Sequence, residues 1–257
     1  MEAERDRDAI RQKGETGRFG QPMSVVVLTT FTLLAFAANS LLCRLALGGG
    51  LIDPVSFATV RLTSGALALI PLARVLASWE RTTEFRGSWG SAFALFAYAA
   101  AFSLAYVSLS TGMGALILFG SVQVTMISRA LRSGERLSMA QWTGSTAAVG
   151  GLVYLVLPGI SAPDPIGALL MCSAGVAWGV YSIRGRGVSA PISMTAGNFL
   201  RSVPFALAAS AIALPWAELK PEGILLAVIS GVVTSGMGYI LWYRALRILT
   251  TTQASVV

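Results

Sequence analysis

Eight stretches of about 20 residues carry no charged side chain, or almost none, and they follow one another with short polar breaks between them. They run approximately over 24–47, 55–77, 89–108, 110–131, 139–158, 165–184, 192–215 and 222–244, and a ninth apolar stretch opens near Thr250. An α-helix rises 1.5 Å per residue, so about 20 apolar residues span the roughly 30 Å hydrocarbon layer of a bilayer. A water-soluble fold is excluded by the same pattern. About a quarter of the residues of a soluble domain are charged, whereas here 12% are charged, 54% are hydrophobic and the mean hydropathy is +0.69. The sequence therefore predicts an all-α polytopic transmembrane bundle.

The charges that remain fix a direction. Fifteen of the nineteen Lys and Arg fall on one side of the predicted spans: five in the N-terminal tail, then Arg74, Arg81, Arg86, Arg129, Arg132, Arg136, Arg184, Arg186, Arg244 and Arg247. The other side holds only Lys220, while Arg44, Arg61 and Arg201 lie inside spans. Basic loops stay in the cytoplasm, so the N-terminus is expected there, in a bacterial cytoplasmic (inner) membrane. The pI near 10 is then a topology signature, and no basic face interleaved with aromatics suggests a nucleic-acid partner. The first apolar run is too long for a signal-peptide core and is read as a retained helix. Residues 1–23, rich in both signs of charge, are read as a disordered cytoplasmic tail.

Sliding the chain by 140 residues places Arg44 on Arg184, Arg61 on Arg201, and Ala66-Leu67-Ala68 on Ala206-Leu207-Ala208. This suggests two five-helix units, 24–158 and 164–257, separated by Ser161-Ala162-Pro163-Asp164-Pro165. An odd number of helices per unit makes the second copy cross in the opposite sense, the inverted repeat of many secondary transporters, with a site near the midplane between the halves. On this reading the second unit stops about 40 residues short, leaving eight full spans and part of a ninth.

Several local features carry a family resemblance. Pro54 stands seven residues before Arg61; Ala105 to Ile117 forms an alanine-rich turn between the third and fourth spans; Gly134-Glu135-Arg136-Leu137 precedes Gln141-Trp142 and Gly144 at the fifth. In this order and spacing they resemble the EamA-like family of the drug/metabolite transporter superfamily. The chain departs from that pattern at Val122-Gln123, where similar proteins carry a proline. The resemblance implies alternating-access transport, often outward, of small organic metabolites such as amino acids, through a cavity supplied by helices 1 to 4 and 6 to 9.

Candidate solute-binding residues are the polar and aromatic groups inside spans. Arg61 and Arg201 head the set, because a central arginine costs about 2.5–3.5 kcal/mol to insert and usually faces a bundle interior or water. They would bind an anionic group; the competing reading is that they snorkel or satisfy a carbonyl freed by Pro71 or Pro204. Asn39, Ser121, Gln123 and Asn198 need hydrogen-bond partners in hydrocarbon, and serve either a solute or a neighbouring helix. Tyr98, Trp178, Tyr181 and Tyr239 line a pocket or pack between helices. Arg44 reads as a snorkelling residue. Glycine and alanine spaced four apart, as in Gly144 with Ala148 and Ala147 with Gly151, permit close helix contact, and Gly112, Gly114 and Gly120 either do the same in the fourth span or give it mobility.

No catalytic constellation emerges. The sequence has no histidine, its two cysteines Cys43 and Cys172 lie in apolar runs, and all twelve acidic residues fall in the tail, in loops or at span ends. No cofactor or metal, no intramembrane proton relay and no Gly-rich phosphate loop is therefore expected, and no enzyme activity. The expected partners are the lipid bilayer and a small-molecule solute, with a homodimer left open. A non-transporting scaffold or receptor, and a channel, remain as alternatives.

Overall fold

A computed structural model describes residues 26–75, 86–134, 138–156 and 163–246, together with Leu249 and Ala254. The expected disordered tail, Glu135 of the glycine-glutamate feature and most of the ninth stretch lie outside the described residues. Eight helices correspond to the eight predicted stretches within a few residues. They are α1 (Val26–Gly48), α2 (Pro54–Val75), α3 (Trp89–Ala105), α4 (Thr111–Arg132), α5 (Met139–Val156), α6 (Pro165–Gly185), α7 (Pro191–Ala213) and α8 (Pro221–Leu246). Six of them, α1, α2, α4, α6, α7 and α8, are long and apolar enough to cross a membrane; α3 is apolar but has 17 residues. Helix α7 continues into a single 3-10 turn, Leu214–Trp216, and α8 is interrupted by a π-helical segment, Ser230–Met237.

Local chemistry explains where the helices begin and end. Proline occupies the first turn of α2, α6, α7 and α8, where its missing N–H costs nothing and its fixed φ suits the helix. Side-chain caps hold other starts: Ser88 accepts from Ser91 N, and Asp164 accepts from Gly167 N. Gly134 and Gly187, with φ of 80° and 74°, follow α4 and α6 in the left-handed conformation that closes a helix.

The helices are inside-out relative to a soluble bundle. Helix α1 leaves Leu34 60% exposed, with Phe31, Leu41 and Leu45 beside it, yet buries Asn39 to 3% along with Thr32 and Ser40. An apolar outer face with a polar seam turned inward is the arrangement lipid favours, since hydrocarbon solvates leucine and offers asparagine no partner. The chain is thus an integral, multi-pass membrane protein.

Helices α2, α3, α6 and α7 form the middle, through the pairs α2–α7, α3–α6 and α3–α7; α4 packs on α6, and α5 on α4. The π segment of α8 lies against α2. That approach depends on glycine: a Cβ at Gly231 would run into the Arg61 carbonyl, and one at Gly65 would press on the Phe199 ring and come 3.0 Å from the Gly231 carbonyl. Among the described residues, a Cβ at Gly112, Gly144 or Gly151 would meet nothing within 4 Å, whereas Gly114 packs tightly against Tyr106.

Candidate functional site

Arg61 is the one charged side chain among the buried residues of the described core, 1% exposed. It stands two turns into α2, and side chains of α3 and α8 close around it. Its Nε donates to Ser235 Oγ at 2.8 Å, and its Nη2 donates to the hydroxyls of Tyr239 at 2.9 Å and Tyr98 at 3.3 Å. The guanidinium carbon lies 5.1 Å from the centre of the Tyr98 ring and 5.3 Å from that of Phe102. Nη1 is buried and has no partner. Every group facing the guanidinium is neutral, so the cation is solvated by hydroxyls and π-faces rather than by a carboxylate.

Asn39 of α1 completes the polar centre. Its Nδ2 donates to the Tyr98 hydroxyl at 3.4 Å, and its Oδ1 accepts from Ser230 Oγ at 2.7 Å. Thr234 Oγ1 lies 3.1 Å from the same Oδ1 and 2.8 Å from the Ser230 carbonyl, and its single proton serves one of them at a time. Ser230, Thr234 and Ser235 all belong to the π segment. A π turn widens the backbone ring by one residue and re-aims the side chains that follow, and here it presents two hydroxyls to Asn39 and one to Arg61.

An aromatic layer covers this centre on the side where the arginine-rich loops lie. Trp178 of α6 contacts Tyr239 at 4.4 Å, Tyr98 at 5.1 Å, Phe36 at 5.3 Å and Tyr181 at 5.4 Å, ring centre to ring centre. Next to it is a cavity of about 20 Å³, room for roughly one water, walled by Phe36, Phe119, Val122, Trp178 and Trp242. Beyond it, where α4, α6 and α8 end, an open pocket of about 520 Å³ is lined by Arg129, Ser133, Ile183, Arg186, Leu246 and Leu249.

Loops fasten both ends of the bundle. At the end remote from the arginines, Ile52 and Leu219 pair as an antiparallel bridge, Asp53 N donates to the Glu218 carbonyl at 3.0 Å, and Lys220 N donates to the Leu51 carbonyl at 2.9 Å. The Asp53 carboxylate adds to this by accepting from Glu218 N at 3.1 Å with one oxygen and from Val55 N and Ser56 N with the other. At the arginine-rich end, Arg86 N donates to Ser193 Oγ and Ser88 N to Asn198 Oδ1, each at 3.1 Å. Arg184 reaches across to Ser91 and Ser88 at 3.0 and 3.2 Å.

The sequence-predicted residues thus separate. Arg61, Asn39, Tyr98, Tyr239 and Trp178 converge, and Tyr181 stacks beside Trp178 with its hydroxyl buried and unpartnered. Gln123 is buried on α4, next to Val122 of the cavity wall; Ser121 faces Gly175 in the α4–α6 packing. Asn198 holds the end loop. Arg201 is half-buried and donates to the Gly197 carbonyl of its own helix at 3.1 Å; this is not the Leu200 carbonyl that Pro204 deprives of its partner. Arg44, read as a snorkelling residue, instead donates to the Tyr106 and Val107 carbonyls at 2.8 and 2.9 Å, capping the end of α3. Sequence reasoning missed Ser230, Thr234, Ser235, Phe36, Phe102, Trp242 and the Asp53 clasp. The run Ser230 to Gly238, dense in Ser, Thr and Gly inside an apolar span, was the available signal.

Residues 165–257 match the model of the EamA-like transporter family. Over 232 residues the chain is 48% identical to an uncharacterised protein of Pseudomonas aeruginosa, spanning 90% of this chain and 80% of that one. The chain belongs to the EamA-like transporter family. A solved crystal structure superposes on this EamA-like protein with a TM-score of 0.61, covering 88% of this chain and 82% of the other at 20% identity, so the two share a fold. Family and fold together make it a multi-pass membrane transporter of the drug/metabolite type.

Proposed function

We propose that this protein is a secondary, non-ATP-driven exporter of small organic metabolites, the class that includes amino acids, working by alternating access around Arg61. The observation that carries the reading is that one charge is buried at 1% exposure where α2, α3 and α8 meet, with hydrogen-bonded loops fastened beyond it on both sides. Transport alternates by undoing one fastening while the other holds, so that the centre faces one side at a time. The two five-helix units, 24–158 and 164–257, are proposed to be inverted copies that exchange these roles. The arginine-rich end is placed in the cytoplasm, with the N-terminal tail, in a bacterial inner membrane. Its partners are the surrounding bilayer and the solute; nucleic acid has no place, and a homodimer is compatible.

Counterflow in proteoliposomes tests the proposal. A carrier exchanges external labelled solute for internal unlabelled solute; a channel gives non-saturating conductance, and a scaffold gives neither. Absence of saturable exchange for any small metabolite would remove the transporter reading.

A further inference from the structure

We infer that Arg61 recognises a solute carrying a single carboxylate and no ammonium group, a small organic monoanion. This deepens the transport reading and rests on it. The argument is one of charge balance. A buried guanidinium is costly unless paired, yet its contacts here are Ser235, Tyr98, Tyr239 and two aromatic faces, all neutral. Nothing in the described helices supplies the missing charge. The acidic residues of the chain lie at 2, 4, 6, 8, 15, 53, 80, 84, 135, 164, 218 and 222, and Glu222, in the first turn of α8, is the nearest approach to a helix interior.

The hydrogen-bond geometry says which anion fits. Nη1 has its hydrogens uncommitted, and of the two phenols that accept from Nη2, which also bond each other, one keeps a hydrogen to donate. The Nη1 hydrogens and a phenol hydrogen beside them are enough for the two oxygens of a carboxylate. One cation matches one negative charge. A phosphate dianion would retain an uncompensated charge, since Arg201 is turned to Gly197 and Arg44 to the end of α3. A zwitterionic amino acid fails in the opposite way: its ammonium would be a second cation beside Arg61 with no carboxylate in the described helices, and the Ser235, Tyr98 and Tyr239 hydroxyls and the Tyr98 and Phe102 faces are already taken by Arg61. The pocket at the arginine-rich end, with Arg129 and Arg186 on its wall, draws anions towards the path.

Two sets of probes that differ only in their polar groups provide the test: lactate, lactamide and alanine, then phenyllactate, phenyllactamide and phenylalanine, with inorganic phosphate alongside. Each is added to the purified full chain while unfolding is followed by tryptophan fluorescence, and each is offered for counterflow in proteoliposomes. The expected result is that at least one hydroxy acid raises the unfolding midpoint and exchanges, with its amide and amino acid weaker by about tenfold or more, the factor for losing one charge-assisted contact. Arg61→Gln abolishes the preference and Arg61→Lys keeps part of it. Equal protection by amide and acid, an amino acid matching its hydroxy acid, protection by phosphate alone, or no effect of either acid would each overturn the inference. If Arg61→Gln does not fold, the acid-against-amide comparison in the unaltered protein decides alone. Saturable exchange without preference for the acids removes the monoanion site and leaves transport standing. Protection by the acids without exchange does the reverse.

Discussion

Arg61 Nη2 and the Tyr239 hydroxyl lie 2.9 Å apart, so helices α2 and α8, distant in sequence, are joined at the charge buried in the described core. Tyr239→Phe keeps the ring, with its contacts to Trp178 and Phe199, and deletes the acceptor. Nη2 is left with the longer bond to Tyr98. The expected cost is about 1–3 kcal/mol, the penalty for an unsatisfied buried partner of a charged group, read as a lower unfolding midpoint.

Gly231→Ala and Gly144→Ala form a matched pair. The first places a methyl group against the Arg61 carbonyl at the α2–α8 crossing, and overpacking of that kind costs about 1–3 kcal/mol. The second adds a methyl group where nothing lies within 4 Å, and should be neutral or stabilising by up to about 1 kcal/mol through helix propensity. Thermal midpoints of the two variants, measured under one condition, check both signs.

Cysteines replacing Ile52 and Leu219 should form a disulfide. The pair faces across an antiparallel bridge, where Cα atoms lie about 4.5–5.5 Å apart, inside the range a disulfide accepts. Oxidation is expected to stop counterflow and reduction to restore it. Retention of full exchange in the oxidised double variant would show that this end need not open.

The two end fastenings should act in opposite directions on Cys43, a buried thiol in the half of α1 nearer the Asp53 loop. Asp53→Ala removes the carboxylate that receives Glu218 N, Val55 N and Ser56 N, at about 0.5–2 kcal/mol for a lost cap. In a Cys172→Ser background it should raise the rate at which a membrane-impermeant maleimide, applied from the side of the Asp53 loop, labels Cys43. Asn198→Ala loosens the other end, where it holds Ser88 N, and should lower that rate.

The proposed orientation is checked by reporter fusions. An enzyme active only outside the cytoplasm should stay silent when fused after Arg132 and become active when fused after Ala217. The reverse pattern would invert the assignment of the basic loops.

Much of the architecture was legible because hydrocarbon imposes one strong rule, and runs of apolar residues opened by Pro54, Pro165, Pro191 and Pro221 state it plainly. Arg61 was legible for the same reason, as a costly residue in a costly place. Arg201 looked equivalent in sequence, and only geometry separates them: it reaches a carbonyl four residues back on its own helix. The hydroxyls of Ser230 and Ser235 were hidden by a similar ambiguity. Serine and threonine in a helix can bond to the preceding turn, as Thr32, Thr125 and Thr195 do, so their presence alone does not say which way they face. Glycine spacing marks a face but not its neighbour; among the described residues a Cβ at Gly231 would meet one and a Cβ at Gly144 would not.

The fastening at residues 51–53 and 218–220 is made mainly by main-chain groups. Side chains such as Leu51 and Lys220 are therefore free to drift among relatives without loosening it, while a proline at 53 or 220 would remove a donor. Inserting or deleting one residue in either loop would throw the pairing out of register. The fastening at this end therefore depends on loop length more than on the exposed side chains, with the Asp53 carboxylate and the buried Ile52 the exceptions.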